Sequence, residues 1–285
     1  MQRGVIIILL DNNQIILASI FQSMKDYPEL NEDYIRHMVL NTYRKYNSEF
    51  REEYGQLVIC NDSSNCWRKK IFPQYKQNRK KNQATSDMDW DAIYNSLHTI
   101  RSEIREVFPY KNITVETTEA DDIIFVLAKH YHKLEKILIL SNDKDFMQLG
   151  QFENVYQYSP LKKGYIKSDN PKMFLLEHII RGDSSDGVPN ILSDDDTFIN
   201  EEKSQKRLTT KVMSKVMDDI VNNRIQELPF YDRNKSIIDL SCIPIDLEQE
   251  IIEQFEKPIV GSKAKVMTYM IEKKLKNLIT NIEDF

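Results

Sequence analysis

Asp143 and Asp145 stand two positions apart, directly after the apolar run 137–140, in the stretch Leu138-Ile-Leu-Ser-Asn-Asp-Lys-Asp-Phe146. The same succession, a short apolar run and then acids, occurs three more times. Residues 5–10 lead to Asp11, 57–60 to Asp62, and 113–115 to Glu119, Asp121 and Asp122. An acid after a strand often only caps the next helix, and Glu119-Ala-Asp-Asp122 reads well that way. Four such exits in one chain are more than capping requires. If the four runs are parallel strands of one open sheet, every exit lies on one edge, where ligands bind. Carboxylates converging there repel one another, and a half-dry cleft tolerates them only if some take up protons or cations neutralise them. Mg²⁺, hard and oxygen-seeking, is the natural counterion, with Mn²⁺ as a substitute. This many acids suffice for two ions, and two ions about 4 Å apart suit in-line attack at phosphorus.

A fifth acidic group lies in Arg181-Gly-Asp-Ser-Ser-Asp-Gly-Val-Pro-Asn190, where Asp183 and Asp186 are three apart and face one way across a helical turn. Taken alone, it reads better as a turn-forming loop. The cations have their own segment. From Trp67 to Ser86 there is no acid, but there are Arg68, Lys69, Lys70, Lys76, Arg79, Lys80 and Lys81. Lys76 and Arg79 are spaced to share a helix face. Tyr75, with Trp67 or Phe72, is placed to stack on an unpaired base while the cations hold phosphate. A short basic tract is more often just a solvated face; its position right after Asp62 favours the functional reading. A second cationic series, Lys203, Lys206, Arg207, Lys211 and Lys215, has near-helical spacing; with acids mixed in nearby it reads first as a solvated face and only second as a grip on duplex backbone.

The elements that must position these residues follow from periodicity. The four runs are rich in β-branched residues and do not alternate, as expected of a parallel sheet covered on both faces. Helical spacing fills the gaps: Met38, Leu40, Tyr43 and Tyr46; Trp90 to Val107, ending near Pro109; and Ile123 to Tyr131. Residues 155–158 and 165–167 flank a turn and predict an edge hairpin. Past Pro171 the chain reads as helical, over 173–181, 202–222 and 263–280, with breaks at Pro229, Pro244 and Pro258. The predicted fold is α/β: a central, mostly parallel sheet covered by helices, with a smaller helical C-terminal region. The expected division is a catalytic domain over 1–187, including a basic arch at about 67–86, and a duplex-binding region over 188–285.

Composition sets limits on this reading. With 285 residues, 41% of them apolar, the chain can bury a substantial core, and a net charge of −5 alone argues weakly against a nucleic-acid partner. The three cysteines, Cys60, Cys66 and Cys242, lack metal-site spacing and read as reduced thiols. The five histidines form no triad or zinc pattern. No run approaches the length of a membrane helix, and no phosphate-cradling Gly-rich loop with Lys-Ser/Thr appears, which disfavours nucleoside triphosphate hydrolysis. A cytoplasmic, monomeric protein with no membrane partner is expected.

Taken in order, Asp11, Asp62, Pro73-Gln-Tyr-Lys-Gln-Asn-Arg79, Glu119-Ala-Asp-Asp122, Ser141-Asn-Asp-Lys-Asp-Phe146 and Gly182-Asp-Ser-Ser-Asp-Gly-Val-Pro-Asn190 resemble the motifs of the 5′-nuclease superfamily, which includes flap endonucleases and 5′→3′ exonucleases. Trp67-Arg68, Met88-Asp-Trp90, Tyr158-Ser-Pro160 and the Asn-Ile-Glu-Asp-Phe end carry the likeness further, toward the T-even-type phage ribonucleases H. The resemblance implies an Mg²⁺-dependent structure-selective nuclease with ribonuclease H activity, removing RNA primers and flaps from 5′ ends during lagging-strand replication. Its substrates would be RNA–DNA hybrids, nicked duplexes and 5′ flaps. It would work in the host cytoplasm if phage-encoded, with a single-strand-binding or clamp protein meeting the C-terminal region. By motif, Asp11, Asp62, Glu119, Asp121 and Asp143 fall at the tighter metal, and Asp145, Asp183 and Asp186 near the second, with Asp122 close by. Lys76 and Arg79 match basic residues that steer the scissile phosphate; Trp67, Arg68, Tyr75, Lys80, Lys81, Lys206 and Lys211 complete the expected nucleic-acid contacts. One segment departs: where many relatives carry a Gly-rich helical hairpin that grips duplex and a monovalent cation, this chain has the acidic Asn190-Ile-Leu-Ser-Asp-Asp-Asp-Thr-Phe198. The cations of 203–215 are expected to substitute. The alternative is a catalytically weak DNA-binding replication factor of the same fold.

Overall fold

The computed structural model describes residues 7–285 apart from 28, 223, 225–227 and 229. Val5 and Ile6 of the first expected strand, and the expected break at Pro229, lie outside the described residues.

The chain opens with β1 (Ile7–Asp11), α1 (Asn12–Asp26), α2 (Glu32–Tyr54) and β2 (Gln56–Cys60). The basic segment forms α3 (Arg68–Ile71) and α4 (Gln77–Ala84), followed by α5 (Trp90–Val107), β3 (Lys111–Ile113), α6 (Ala120–Tyr131) and β4 (Ile137–Leu140). The hairpin β5 (Val155–Ser159) and β6 (Gly164–Ile166) comes next, then α7 (Pro171–Arg181), α8 (Thr210–Val221), α9 (Tyr231–Ile238), α10 (Ile245–Glu256), α11 (Lys263–Glu272) and α12 (Lys276–Ile279). The strands form one sheet in the order β3-β2-β1-β4-β5-β6, parallel except for the antiparallel edge pair β5–β6. The order reverses between β1 and β4. That switch point is where adjacent connections leave toward opposite faces and a crevice opens at the carboxyl edge. Asp11 ends β1, and Asp143 follows β4 at this crevice.

The strands are apolar throughout because both faces are buried. Ile8, Leu10, Leu57, Ile59, Leu138 and Leu140 join the core under α1, α2 and α5. Their neighbours Ile7, Leu9, Val58, Cys60, Ile137 and Ile139 join the opposite core under α6 and α10. A third cluster, with Phe72, Tyr75, Ile180, Val188, Ile191 and Ile238, lies beneath the basic segment. The C-terminal chain returns to both faces of the sheet: Val266, Tyr269, Met270 and Phe285 enter the first core, and Leu247, Ile251 and Phe255 the second. Among the described residues, no helix is long and apolar enough to cross a membrane.

Three expectations shift. The third strand is Lys111–Ile113 rather than 113–115; Val115 is buried, but its carbonyl accepts from Thr118 N at 3.3 Å, closing a turn that takes the chain off the ladder. The helix expected over 202–222 starts only at Thr210, where the Thr209 side chain accepts from Val212 N, so Lys203, Lys206 and Arg207 lie outside it. The C-terminal helix divides into α11 and α12, with Lys274 between them at φ 56°.

One buried charge ties distant helices together. Arg36 of α2 is almost fully buried and bonds Glu32, Asp33 and, at 2.7 Å, Glu103 of α5. Glu103 also accepts from Tyr269 Oη at 2.7 Å and pairs with Lys273 at 2.9 Å, which fastens the C-terminal chain to the N-terminal helices. Removing the guanidinium leaves Glu103 with Tyr269 and Lys273 alone and empties a buried position. Arg36→Ala is expected to lower unfolding free energy by about 2–3 kcal/mol, read as a lower urea midpoint at unchanged slope.

Candidate active site

The acids at the sheet edge are held by local geometry that the sequence partly dictates. Asp11 caps α1, accepting from Gln14 N at 3.4 Å, and its other oxygen accepts from Ser141 Oγ at 3.0 Å just past β4. Asp62 accepts from Ala120 N at 2.8 Å, at the start of α6, and from Asn13 Nδ2 at 2.5 Å. Asp143 accepts from Asp145 N at 2.9 Å. The capping reading is therefore correct for Asp11, and it coexists with convergence on one pocket. Burial, with Asp62 and Asp143 nearby, pushes the Asp11 carboxyl up to about 7. Burial and the charges of Asp143 and Asp11 raise Asp121 well above the usual carboxylate range. Burial, then Asp143, brings Asp145 to about 7, with Asp183 and Asp186 adding repulsion. Acids from five separate segments thus feel one another's charge.

Cations balance one side of this cluster. Lys76 adopts a left-handed conformation (φ 60°), anchored by its own N–H on Asp186 O at 2.8 Å. Its Nζ lies 2.5 Å from Glu119 Oε1 and 3.6 Å from Asp186 Oδ2. Arg79 pairs with Asp186 from the more exposed side. The second Glu119 oxygen accepts from Tyr75 Oη at 2.9 Å and from Cys66 Sγ and Arg68 Nη1, both at 3.2 Å. Burial alone would raise Glu119; Lys76 and Arg68 outweigh it and bring the carboxyl down to about 2.

Several expected contacts are corrected here. Asp122 is fully buried, and both its oxygens are committed: Oδ1 to Arg68 Nη2 at 2.8 Å, Oδ2 to Arg68 Nη1 and Trp67 Nε1 at 3.1 Å and to Glu119 N at 2.9 Å. It completes a capping box on α6 and has no oxygen left for an ion. Trp67 and Arg68 are buried in that same network, and Arg68 also donates to Ile237 O. Tyr75 is buried with its hydroxyl on Glu119 and Asp186, so its ring does not face solvent as a stacking platform. Phe72 is buried too. The aromatics interleaved with cations build the floor of the site. Lys80 and Lys81 stand exposed on α4, Lys81 against Glu201 at 2.5 Å. Lys203 pairs with Asp194 and Asp196 and Arg233 with Asp195, so the acidic segment after Asn190 neutralises cations from its own neighbourhood. Lys206 and Lys211 are exposed.

The loop after α7 supplies the remaining acids. Gly182 (φ 68°) and Gly187 (φ 74°) bracket it, and a Cβ on Gly182 would meet Val188 O at 2.4 Å. Asp183 pairs with Val188 in a bridge and accepts from Ser185 N and Oγ at 2.8 and 2.7 Å. Sequence reasoning missed His178, one turn before this loop. Its Nδ1 lies 3.4 Å from Asp145 Oδ1 and its Nε2 3.8 Å from Asp183 Oδ2. Burial opposes its protonation, but Asp183 and Asp145 raise it above the usual range. Its place on a helix with helical apolar spacing gave no signal.

The donor chemistry fits divalent cations. A gap of about 20 Å³, about one water or ion in size, lies between Asp121, Asp145, Asp183 and Asp186 on one hand and Arg68, Tyr75 and the aliphatic Val188, Ile237, Ile238 and Leu240 on the other. Beside it opens a cleft of about 500 Å³ lined by Asp143, Asp145, His178, Arg181 and Asp183. Among the described residues, Asp145, His178 and Asp183 offer donor atoms that all lie within 4.8 Å of one another and could hold an ion. Asp11, Asp62, Asp121 and Asp143 are close enough to repel one another, and Glu119 is held by Lys76 at Oε1.

An open parallel sheet with an acidic crevice at its switch point defines an α/β class whose sites sit outside the carboxyl ends of the strands. The chain belongs to the 5′→3′ exonuclease family: residues 7–174 match its N-terminal resolvase-like domain, and residues 169–285 match the family described as T4 RNase H, C terminal. It is therefore an enzyme of the 5′→3′ exonuclease and flap endonuclease class. It is 30% identical to the ribonuclease H of Enterobacteria phage T4 over 98% of this chain and 95% of that protein. It is 27% identical to a 5′-3′ exonuclease of Buchnera aphidicola over 73% and 75% of the two chains. A bacteriophage T5 flap endonuclease, solved in complex with DNA and metal ions, superposes with a TM-score of 0.62 at 15% identity, covering 88% of this chain and 99% of that one.

The raised carboxyls carry a pH signature. A folded-state value above the unfolded one stabilises at low pH, and that contribution is lost as pH rises through the folded value. For Asp11 and Asp145 the window runs from about 4 to about 7. The metal-free protein should thus lose several degrees of melting temperature between about pH 5 and about pH 8. Millimolar Mg²⁺ should flatten the profile.

Proposed function

We propose that the chain is a Mg²⁺-dependent, structure-selective 5′→3′ nuclease that removes RNA primers and flaps in lagging-strand replication, with Mn²⁺ able to replace Mg²⁺. The supporting observation is the mutual repulsion of Asp11, Asp121, Asp143 and Asp145 at the switch point of the sheet. In this reading Asp11, Asp62, Glu119, Asp121 and Asp143 hold one ion, and Asp145, Asp183 and Asp186 the other. Bound there, the two ions would lower the pKa of water and stabilise negative charge on the phosphate. Lys76 and Arg79, already facing Asp186, turn toward the incoming phosphate, and Lys80 and Lys81 extend that positive face along α4. Lys76 and Arg68 keep Glu119 ionised, and the Tyr75 hydroxyl fixes its direction. Lys206 and Lys211 meet the backbone of the substrate duplex, which is an RNA–DNA hybrid, nicked DNA or a 5′ flap.

Residues 1–187 carry the chemistry and 188–285 support the duplex. We place contact with a single-strand-binding or clamp protein on the C-terminal region, where Ile271 and Met267 are exposed on α11. The protein acts as a monomer. A DNA-binding factor without activity would leave the crowded acids without a use.

The reading is tested with 5′-labelled RNA–DNA hybrids, flaps and nicked duplexes, in Mg²⁺ and in EDTA. Asp143→Asn should lower cleavage about a thousandfold, because several kcal/mol of charge stabilisation are lost, while substrate binding persists. Equal turnover by variant and wild type removes the metal assignment. Lys76→Ala should slow single-turnover cleavage and reduce the slope of log affinity against log salt by about one. An unchanged slope and rate would take Lys76 off the phosphate path.

A further inference from the structure

The acids assigned to the second ion have a neighbour of different chemistry. His178 reaches them from the last turn of α7, with one ring nitrogen facing each of two carboxylates. The pairs are Nδ1 with Asp145 Oδ1 at 3.4 Å and Nε2 with Asp183 Oδ2 at 3.8 Å. Nδ1 is buried and makes no hydrogen bond, although a carboxylate oxygen lies beside it. A buried ring nitrogen without a hydrogen bond is a costly arrangement that needs a use. One donor atom from each of Asp145, His178 and Asp183 can be chosen so that all three lie within 4.8 Å of one another. Donors about 2.1 Å from a common ion stand about 3 to 3.5 Å apart, so modest rotation of the side chains closes the set. The cleft of about 500 Å³ that these residues line gives an ion and its waters access from solvent.

We propose that His178 is a nitrogen ligand of the second divalent ion, which makes that site selective for borderline transition metals over Mg²⁺. This rests on the reading that Asp145 and Asp183 hold that ion. Imidazole suits later transition ions such as Co²⁺, Ni²⁺ and Zn²⁺, whereas Mg²⁺ takes oxygen almost exclusively. The residues assigned to the first ion, Asp11, Asp62, Glu119, Asp121 and Asp143, are all carboxylates. The two positions therefore differ in kind, and the second accepts ions that the first only tolerates. α7 and the turn at 145–151 pack together, so the ring and Asp145 are presented by elements that hold each other in place.

The test uses the full chain and Co²⁺ as probe, followed by its visible absorption, with Mg²⁺ binding measured separately by calorimetry. His178→Gln and His178→Phe should each weaken Co²⁺ binding at one site about tenfold or more and change its spectrum, while Mg²⁺ affinity moves less than about threefold. Asp183→Asn should weaken both metals. If Asp183→Asn weakens both metals and the His178 variants bind Co²⁺ as wild type does, His178 is only an ion-pair partner and the inference falls, with the acidic site intact. If Asp145→Asn and Asp183→Asn also leave binding unchanged, the second site itself is misplaced and the inference falls with it. Should the His178 variants fail to fold, the wild-type Co²⁺ protein decides: hyperfine-shifted imidazole protons support the ligand, and their absence overturns it.

Discussion

Like charge forced together at the end of a sheet is the constraint on which the rest of this molecule depends. A parallel sheet sends all its strand exits to one edge, and the reversal between β1 and β4 opens a crevice there. Asp11, Asp121 and Asp145 meet the charge of Asp143 at that crevice, in a setting dry enough to push those three carboxyls toward neutrality. Packing alone gains nothing from such an arrangement. The fold sustains it because two large cores, one on each face, fix the strands regardless of what their ends carry.

Around the cluster the protein has graded its counterions by depth. Arg68 is buried and permanently paired with Asp122 and Glu119, which makes it part of the scaffold. Lys76 is half-buried and bridges Glu119 and Asp186, so it can exchange one partner for another. Arg79, Lys80 and Lys81 are exposed, Arg79 still paired with Asp186 and Lys81 with Glu201. The result is a series from buried to exposed cation along a single short segment. The left-handed backbone at Lys76, held by Asp186 O, joins that segment to the loop carrying Asp183 and Asp186.

What could be read from the sequence follows a physical rule. Strands buried on both faces lose alternation, so 57–60 and 137–140 were legible as parallel strands, and the acids beyond them as one edge. The hairpin at 155–166 was legible from its turn. The role of Trp67, Arg68 and Tyr75 was not: a basic aromatic segment has the same composition whether it grips a strand or is buried as an ion-paired floor. Asp122 was misread because its distinction from Asp121 is one of direction on a helix, settled by Arg68, more than fifty residues away. The cations of 203–215 have helical spacing, but the backbone of Lys206 is taken up by Asn190 Nδ2 at 2.7 Å and Ser193 Oγ at 2.8 Å, and the helix starts only at the Thr209 cap. His178 lay hidden because a lone histidine on an amphipathic helix is ordinary; only the packing of α7 against the turn after Asp143 gives it significance.

The central claim is that divalent ions relieve this crowding, and proton release measures that directly. Mg²⁺ is titrated calorimetrically near pH 6.5 in two buffers of different ionisation enthalpy, a pH chosen because Asp11 and Asp145 are then partly protonated. The account predicts two bound ions and a net release of about one proton or more per protein, shrinking as the pH is raised toward about 8. Binding without proton release, or no Mg²⁺ binding at all, would contradict it.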